Sequence, residues 1–410
     1  MFDFLDMGFE PAETTATSGP YIPEASECMR CGMCVSSCPT FRLFEIDEES
    51  PRRRIRTISK VLVEDLAIST DERLHLDNCL QCRACETACP SRMAYGSLFD
   101  RARSQLNIEI KGLAKLALRL IVAKRWRTRL LPVLSLYLKS GLQKPLRRSG
   151  LLKKLGVAEA DALLCQPALQ PLAERYTPAA TPRGRVALFT GCLAEHFDRA
   201  TLQAAIALLN AIGYEVLVPS AQSCCGAIHQ HHGQNAGQLI ANNLEVFNAL
   251  DVESVIHTAT GCGAMLTEYP GDDDAAEKFR ARLADVNTFL LNHWPEDLNL
   301  KPSSLKVAVH EPCSQRNVLK NADAVYRLLA KIPGLSVAPL ADNQLCCGAG
   351  GSYMLTHPEN AGRLRTMKQQ AISGAAADVV VSANYGCATF LDSAAAKVTH
   401  PLSLLAAQLP

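Results

Sequence analysis

The chain has 410 residues, of which 48% are hydrophobic and 20% charged, and its formal net charge is +1. This length allows two to three domains with sizeable cores, and the apolar content excludes intrinsic disorder. A net charge near zero argues against nucleic acid as a partner. The unusual feature is the count of seventeen cysteines.

The first residues lack the basic start and continuous apolar stretch of a secretion signal, so we expect a cytoplasmic protein. In a reducing compartment, clustered cysteines indicate metal binding or catalysis more often than cross-links. The positions of the thiols along the chain are therefore the main guide to function.

After an N-terminal tail (1–24), residues 25–110 contain one cysteine motif twice. Both copies read C-x2-C-x2-C-x3-C-P. This run binds [4Fe–4S] clusters in two-cluster ferredoxins, where the fourth cysteine, on the following helix, ligates the other cluster. Zinc is the alternative, but zinc sites do not need the third C-x2-C step or the Cys-Pro. The predicted ligands are Cys28, Cys31, Cys34 and Cys89 for a first cluster, and Cys79, Cys82, Cys85 and Cys38 for a second.

Between the two runs, residues 39–78 have apolar side chains at helical spacing, such as Ile55, Ile58 and Val61. A compact ferredoxin sheet would need a shorter insert. The sequence therefore predicts a helical domain that holds both clusters.

The segment 111–182 is predicted to be basic and helical, and then to become a linker. From Lys111 to Leu155 it has thirteen Lys or Arg residues and no Asp or Glu, which leaves about −12 for the remainder. Its apolar runs fall short of the roughly eighteen residues that span a bilayer. Two interpretations stay open: helices packed on their own domain, or a face that docks on an anionic membrane or an acidic partner.

Beyond the linker the chain repeats itself, at 183–295 and 303–408. Each copy alternates short apolar strands with helices, which predicts a parallel sheet covered on both faces. The cysteines follow the strands, where such sheets place their ligands, and corresponding cysteines are 121, 122 and 125 residues apart. Four thiols per copy are thus expected to converge: Cys192, Cys224, Cys225 and Cys262, and then Cys313, Cys346, Cys347 and Cys387.

Several roles stay open for these eight thiols: a further cluster, structural zinc, a vicinal redox disulfide, or buried cysteines without a ligand. Cys165, in the linker region, belongs to neither pattern. Three histidines, at 229, 231 and 232, follow the first Cys-Cys-Gly and have no counterparts in the second copy. They could be acid–base groups of a reductase that acts at the repeats, but because no duplicated site uses them we interpret them as a surface loop.

The paired ferredoxin motifs followed by two Cys…Cys-Cys-Gly…Cys repeats resemble the glycolate oxidase iron–sulfur subunit family. The resemblance covers residues from about 25 to 400 and is strongest at three stretches: His75-Leu-Asp-Asn-Cys79-Leu-Gln-Cys82, Thr260-Gly-Cys262-Gly-Ala and Leu345-Cys-Cys-Gly-Ala-Gly-Gly-Ser-Tyr353. More distantly, the pattern is similar to the C subunit of anaerobic glycerol-3-phosphate dehydrogenase and to heterodisulfide reductase.

The resemblance implies an α+β multidomain chain without catalytic residues of its own, acting as the electron-transfer subunit of an oxidoreductase complex. FAD-containing partner subunits would oxidise glycolate to glyoxylate, and this chain would pass the electrons through two [4Fe–4S] clusters to a quinone or another acceptor. Related systems oxidise D-lactate or glycerol-3-phosphate, which stay as alternatives. Residues 111–155 would place the protein peripherally on the cytoplasmic face of the inner membrane.

One departure limits the resemblance. Heterodisulfide reductase ends each repeat in Cys-x2-Cys, whereas the last position here is Met265 in the first repeat and Phe390 in the second. Neither side chain can replace a thiolate, so the five-cysteine cluster of that branch is not expected. A reductase acting at the repeats and a zinc-bearing adaptor are the alternative functions.

Overall fold

The computed structural model describes residues 28–106, 120, 122–271, 273–394 and 396–410. The predicted N-terminal tail (1–24) and the first part of the predicted basic segment (111–119 and 121) lie outside these residues. The described chain has a helical N-terminal part, a group of basic helices, and two α/β repeats.

The N-terminal part contains no strand within its described residues, as the spacing of its apolar residues predicts. Its second helix begins at Pro51, and the Ser50 side chain caps it by accepting a hydrogen bond from the backbone N–H of Arg53. Ile55 and Ile58 on this helix are buried in the core of the domain. The helices are α1 (Pro39–Phe44), α2 (Pro51–Leu62), α3 (Thr70–Asp77), α4 (Ala84–Thr87) and α5 (Tyr95–Gln105).

The expectation that a helix follows each Cys-Pro is correct for the first run only. Cys38 is the N-cap of α1, with Pro39 at its first position, where a missing N–H costs nothing. Cys89 lies instead in a turn, and the next helix starts at Tyr95.

Four helices follow in the basic segment: α6 (Lys124–Lys139), α7 (Gln143–Arg148), α8 (Leu151–Lys154) and α9 (Ala158–Ala162). One side of α6 is buried at Arg127, Leu131 and Ser135, which lie four residues apart and therefore on one face. In the described part of the chain, no helix is long and apolar enough to cross a membrane.

The first repeat is built on a five-stranded sheet of order β1-β3-β2-β4-β5, parallel except for the edge strand β1. β1 lies inside the range assigned to the linker, because two residues that pair with the edge of β3 leave no pattern in the sequence. Val186 of β2 lies opposite Val216 and Ser254 on its two neighbours. The strands are β1 (Arg175–Tyr176), β2 (Gly184–Phe189), β3 (Tyr214–Leu217), β4 (Ser254–His257) and β5 (Leu283–Asp285). The helices are α10 (Ala194–Phe197), α11 (Arg199–Ala211), α12 (Ala227–His231), α13 (Gly237–Asn248), α14 (Thr260–Thr267), α15 (Asp274–Arg282) and α16 (Val286–His293).

The second repeat has a four-stranded parallel sheet of order β7-β6-β8-β9. Val307 of β6 lies opposite Val337 and Val379. The strands are β6 (Lys306–His310), β7 (Ser336–Pro339), β8 (Val379–Ser382) and β9 (Val398–Thr399). The helices are a π-helix (Ser314–Leu319), α17 (Ala322–Leu329), α18 (Tyr353–Thr356), α19 (Pro358–Gly374), α20 (Tyr385–Leu391) and α21 (Pro401–Ala407).

The two repeats share one hydrophobic core. It contains Val186 and Ile256 from the first sheet, Val307 and Val381 from the second, and residues of the helices between them. In each repeat the cysteines follow the strands of the sheet, so this packing fixes where the thiols lie.

Candidate metal centres

The two ferredoxin-like loops follow the same backbone path. Arg30 and Gln81, each two residues after the first cysteine of its run, both have a φ of 52°. Gly32 and Arg83, each one residue after the second cysteine, have φ values of 82° and 58°. Left-handed backbone at a non-glycine residue costs about 1–3 kcal/mol and is common at binding sites. Its recurrence at matching positions indicates two loops shaped for the same kind of group.

The thiols of the first predicted ligand set line an open cavity, which Cys85 also borders. Cys31 is exposed, whereas Cys28, Cys34 and Cys89 are half-buried. The pKa of Cys34 is raised to about 11, first by burial and then by the nearby thiols of the other three. Four sulfurs this close repel one another as thiolates, and the positive iron ions of a cluster would remove that repulsion. The donor set therefore fits a [4Fe–4S] cluster.

The second predicted set lies deeper in the protein. Burial raises the pKa values of Cys79, Cys82 and Cys85, and the nearby thiol of Cys38 raises each of them further. The structure thus places Cys38, from the first run, beside the three thiols of the second run. This grouping is the crossed arrangement that the spacing predicts, while the role of each thiol as a ligand remains a prediction.

Arg54 and Tyr95 donate hydrogen bonds to sulfurs of the second set, and Thr40 Oγ1 lies 3.3 Å from Cys38 Sγ. Arg54 Nη1 lies 3.5 Å from Cys38 Sγ, and the Tyr95 hydroxyl lies 3.5 Å from Cys79 Sγ. Sequence reasoning missed both residues. A basic side chain on an amphipathic helix normally faces solvent. Only the apolar residues around Arg54 indicated that the side chain of Arg54 is buried.

The four thiols of the first repeat converge beyond the ends of β2, β3 and β4. Cys224 Sγ lies 3.4 Å from Cys192 Sγ. Hydrogen bonding from Cys192 and Cys225 lowers the pKa of Cys224, whereas hydrogen bonding with Cys224 and then with Cys262 raises the pKa of Cys225. Gly226, with a φ of 92°, lets the chain turn directly after the vicinal pair.

The thiols of the second repeat converge in the same way and also reach the N-terminal part. Hydrogen bonding with Cys346 raises the pKa of Cys313, and burial adds to this. Cys313 is also close enough to Cys82 to raise that thiol's pKa. Asn317 donates a hydrogen bond to the Cys82 carbonyl over 2.7 Å. The second ferredoxin-like set and the second repeat therefore meet at one place.

Met265 and Phe390, the last positions of the two repeat motifs, lie beside the repeat thiols. Met265 is buried with Cys224 and Cys225 in one apolar cluster, and Phe390 is buried with Cys347 in another. Both side chains fill the space beside the repeat thiols with apolar groups.

The three histidines after the first Cys-Cys-Gly are not on a free surface loop. They are half-buried where the N-terminal part meets both repeats. Gln81 donates a hydrogen bond to the His231 carbonyl over 3.1 Å, and His232 Nε2 lies 2.5 Å from Ser352 Oγ. The sequence could not show this, because both contacts join residues far apart in the chain.

Among the described residues, no group of three or more His, Cys, Asp or Glu side chains is arranged to hold a single metal ion.

Comparison with known proteins adds to this geometry. A 4Fe-4S dicluster domain matches residues 24–93, and a cysteine-rich domain matches twice, at 186–267 and 307–392. The chain is 34% identical to a probable glycolate oxidase iron-sulfur subunit of Bacillus subtilis, over 89% of this chain and 87% of that protein. It is 31% identical to the glycolate oxidase iron-sulfur subunit of Escherichia coli, over 90% and 89%. Lactate utilization protein A of an Exiguobacterium species is 27% identical, over 54% of this chain and 94% of that protein.

Proposed function

The chain belongs to the family of glycolate oxidase iron–sulfur subunits, and on this basis we propose that it carries electrons from FAD-containing subunits that oxidise glycolate to glyoxylate. Its family and its 4Fe-4S dicluster domain make it the electron-transfer subunit of an oxidoreductase complex. The final acceptor in this proposal is a quinone or another oxidant.

The observation that carries the proposal is the pairing of a thiol set that reaches the surface with a second set that lies deeper in the protein. Cys31 of the first set is exposed, and the neighbouring Met29 is 71% exposed, so a partner can approach this set closely. The second set lies behind it, against the second repeat. Oxidation of a 2-hydroxy acid releases two electrons, whereas a [4Fe–4S] cluster accepts one at a time. Two adjacent clusters can therefore accept the two electrons one after the other.

Metal analysis tests the ligand assignment. Protein purified without oxygen should contain about eight iron atoms in the two predicted clusters, and reduction with dithionite should give two cubane EPR signals. Any iron above that amount would belong to the repeats. Protein that contains zinc and no iron would refute the electron-transfer proposal.

A serine variant tests the electron path. Cys82→Ser removes a thiol of the second set and should abolish acceptor reduction by the assembled complex, while glycolate still reduces the flavin. Cys165→Ser is the matched control, because Cys165 is exposed and belongs to neither pattern. Loss of flavin reduction in Cys82→Ser would contradict the proposed division of labour between subunits.

The repeat thiols are proposed as further metal sites, with four sulfurs in each. The second repeat's set is the better placed for electron transfer, because Cys313 and Cys346 both lie near Cys82. A Cys346→Ser, Cys347→Ser double variant should lower the metal content below that of the parent protein. Unchanged iron and zinc would leave these residues as buried cysteines.

The exposed side of α6 supports peripheral membrane contact as part of the proposal. Trp126, Val133 and Leu136 are 53%, 64% and 70% exposed, and they lie on the face opposite Leu131. Residues 122–158 contain no acidic side chain. Helices that lie on anionic membranes have such an apolar stripe flanked by Lys and Arg side chains.

The substrate is the least constrained part of the proposal, because it binds to the partner subunits. Glycolate follows from the two relatives that match almost the whole chain, whereas the lactate utilization relative matches only about half of it. Purification of the complex and comparison of glycolate, D-lactate and glycerol-3-phosphate as reductants would identify the substrate.

A further inference from the structure

The guanidinium of Arg54 is completely buried and all five of its N–H groups have acceptors. The residue is 2% exposed. Nε donates to the His75 carbonyl over 2.7 Å, and Nη1 donates to the Glu49 carbonyl over 2.7 Å and to Cys38 Sγ over 3.5 Å. Nη2 donates to Thr40 Oγ1 over 2.9 Å and to the Glu49 carboxylate. No rotation of the side chain would keep these bonds, so the N–H aimed at sulfur is fixed in place.

The Glu49 carboxylate is held equally firmly. It is 1% exposed, and its second oxygen accepts a hydrogen bond from Asn78 Nδ2 over 2.6 Å and lies 2.8 Å from His75 Nδ1. A buried ion pair of this kind adds little net stability, because both charges lose their hydration. Its specific consequence here is the placement of a permanent cation beside the second thiol set.

We propose that Arg54 is a positioning residue that raises the reduction potential of the second cluster through its hydrogen bond to Cys38 Sγ. Tyr95, which donates to Cys79 Sγ, acts in the same direction. The proposal rests on the ligand assignment proposed above.

The sign follows from charge. When one electron is added to a cluster held by four thiolates, the group gains one negative charge and no proton needs to move. Hydrogen bonds to the sulfurs and a nearby fixed cation stabilise the more negative form, and both are established determinants of the potential. Arg remains protonated throughout, since its ordinary pKa exceeds 12.

The first set lacks this arrangement. Among the described residues, no side chain donates a hydrogen bond to the sulfur of Cys28, Cys31, Cys34 or Cys89. The asymmetry makes the buried second cluster the preferred site of the electron and the exposed first cluster the donor to it.

Redox titration followed by EPR tests the proposal on the anaerobically purified, iron-loaded chain. Tyr95→Phe and Arg54→Gln should each lower the potential of one of the two cubane signals. We expect at least a tenfold change in the reduced-to-oxidised ratio at fixed potential for Arg54→Gln, which is about 59 mV for a one-electron couple. Glu49→Gln should shift the same signal to higher potential, because it removes a negative charge.

Arg103→Gln is the matched control. Arg103 is also a buried arginine paired with a carboxylate, Asp77, at 2.9 Å, but it donates to no sulfur. The Arg103→Gln variant should leave the difference in reduction potential between the two EPR signals unchanged.

The outcomes distinguish the two proposals. Two signals with unchanged potentials in Tyr95→Phe and Glu49→Gln would overturn the role of Arg54 and Tyr95 while keeping the cluster assignment. A shift in potential in Arg103→Gln equal to that in Arg54→Gln would also overturn the proposed role of Arg54. Parent protein without two cubane signals would refute the proposed ligand sets, and this proposal with them. If Arg54→Gln fails to fold, the opposite shifts expected for Tyr95→Phe and Glu49→Gln still decide the question.

Discussion

Gly261 donates its backbone N–H to Asn384 Oδ1 over 3.1 Å, across the boundary between the two repeats. The amide nitrogen of the same Asn384 lies 3.3 Å from Cys387 Sγ. Because Gly261 precedes Cys262, one asparagine side chain connects the thiol sets of both repeats.

Removal of this connection should weaken the pair of repeats. Asn384→Ala leaves the Gly261 N–H and the Cys387 thiol without their partner, and loss of such bonds costs about 1–3 kcal/mol. We expect a lower urea midpoint for the repeats than in the parent protein. Asn299→Ala is the control, since Asn299 is exposed and bonds only to the nearby Asp297 carbonyl. Equal midpoints for the two variants would contradict a role for Asn384 at the boundary.

Gly233 should tolerate no side chain. Its φ is 67°, and a Cβ atom there would lie 2.5 Å from the Arg103 carbonyl oxygen on α5. Gly233→Ala should therefore separate the N-terminal part from the first repeat and lower the melting temperature.

Gly362→Ala is the matched control for that variant. Gly362 lies within α19 with open space around its Cα, so alanine should stabilise the protein by about 0.5–1 kcal/mol. The two substitutions are chemically identical and should change the melting temperature in opposite directions. Changes of the same sign would refute the contact between Gly233 and α5.

His400 should make the protein less stable in mild acid. The buried ring donates from Nε2 to the Thr258 carbonyl over 3.0 Å and accepts from the Leu402 N–H at Nδ1 over 3.2 Å, so both nitrogens are satisfied only in the neutral form. Burial lowers the pKa of His400 to about 4 from an ordinary 6.5. Between these values the unfolded chain binds more protons than the folded one, so stability falls as the pH decreases.

The measurement is the free energy of unfolding of the parent and of His400→Asn at about pH 8 and about pH 5. The value at the higher pH reports any structural damage from the substitution. The difference between the two pH values should be smaller in the variant, by up to about 2 kcal/mol, since pH 5 lies about 1.5 units below the ordinary pKa and one pKa unit corresponds to about 1.4 kcal/mol. An identical pH dependence in both proteins would show that His400 is not buried as a neutral ring.

The exposed side of α6 should bind anionic vesicles. We expect the chain to float with vesicles of phosphatidylglycerol and phosphatidylcholine at low salt, and to float less at high salt. It should not float with vesicles of phosphatidylcholine alone, because each Lys or Arg near an anionic surface contributes about 1 kcal/mol to binding. Combined substitution of Trp126, Val133 and Leu136 by serine should reduce binding at least about tenfold, given the apolar area lost.

The control for vesicle binding is the pair Leu66→Ser and Leu169→Ser, which removes exposed leucines outside residues 111–155. It should leave flotation unchanged. Equal binding by all variants, or binding without dependence on salt, would contradict the assignment of this face to the membrane.

Features encoded over short stretches of sequence were predictable. The spacing of Cys79, Cys82 and Cys85 places three thiols around one loop whatever the rest of the chain does. Runs such as Val379-Val-Val reveal buried parallel strands, because both faces of such strands are covered. The duplication then placed each cysteine beyond the end of a strand.

Features that depend on distant parts of the chain were not predictable. The burial of Arg54 depends on Glu49 and on the His75 carbonyl. The helical spacing of apolar residues in the sequence does not distinguish a buried basic side chain from an exposed one. The two-residue strand β1 exists only because β3 offers a free edge. The position of the N-terminal part between the repeats depends on a few contacts, such as that of Gln81 with His231.

The common core of the repeats determines what happens when the chain is cleaved between them. Val186 and Val381 belong to the same interior although the segment that connects the repeats, around residues 296–302, is mostly exposed. A protease that nicks this segment would produce two fragments that stay associated, because separation would expose the interior of both. The fragments should co-elute under native conditions and part only in denaturant.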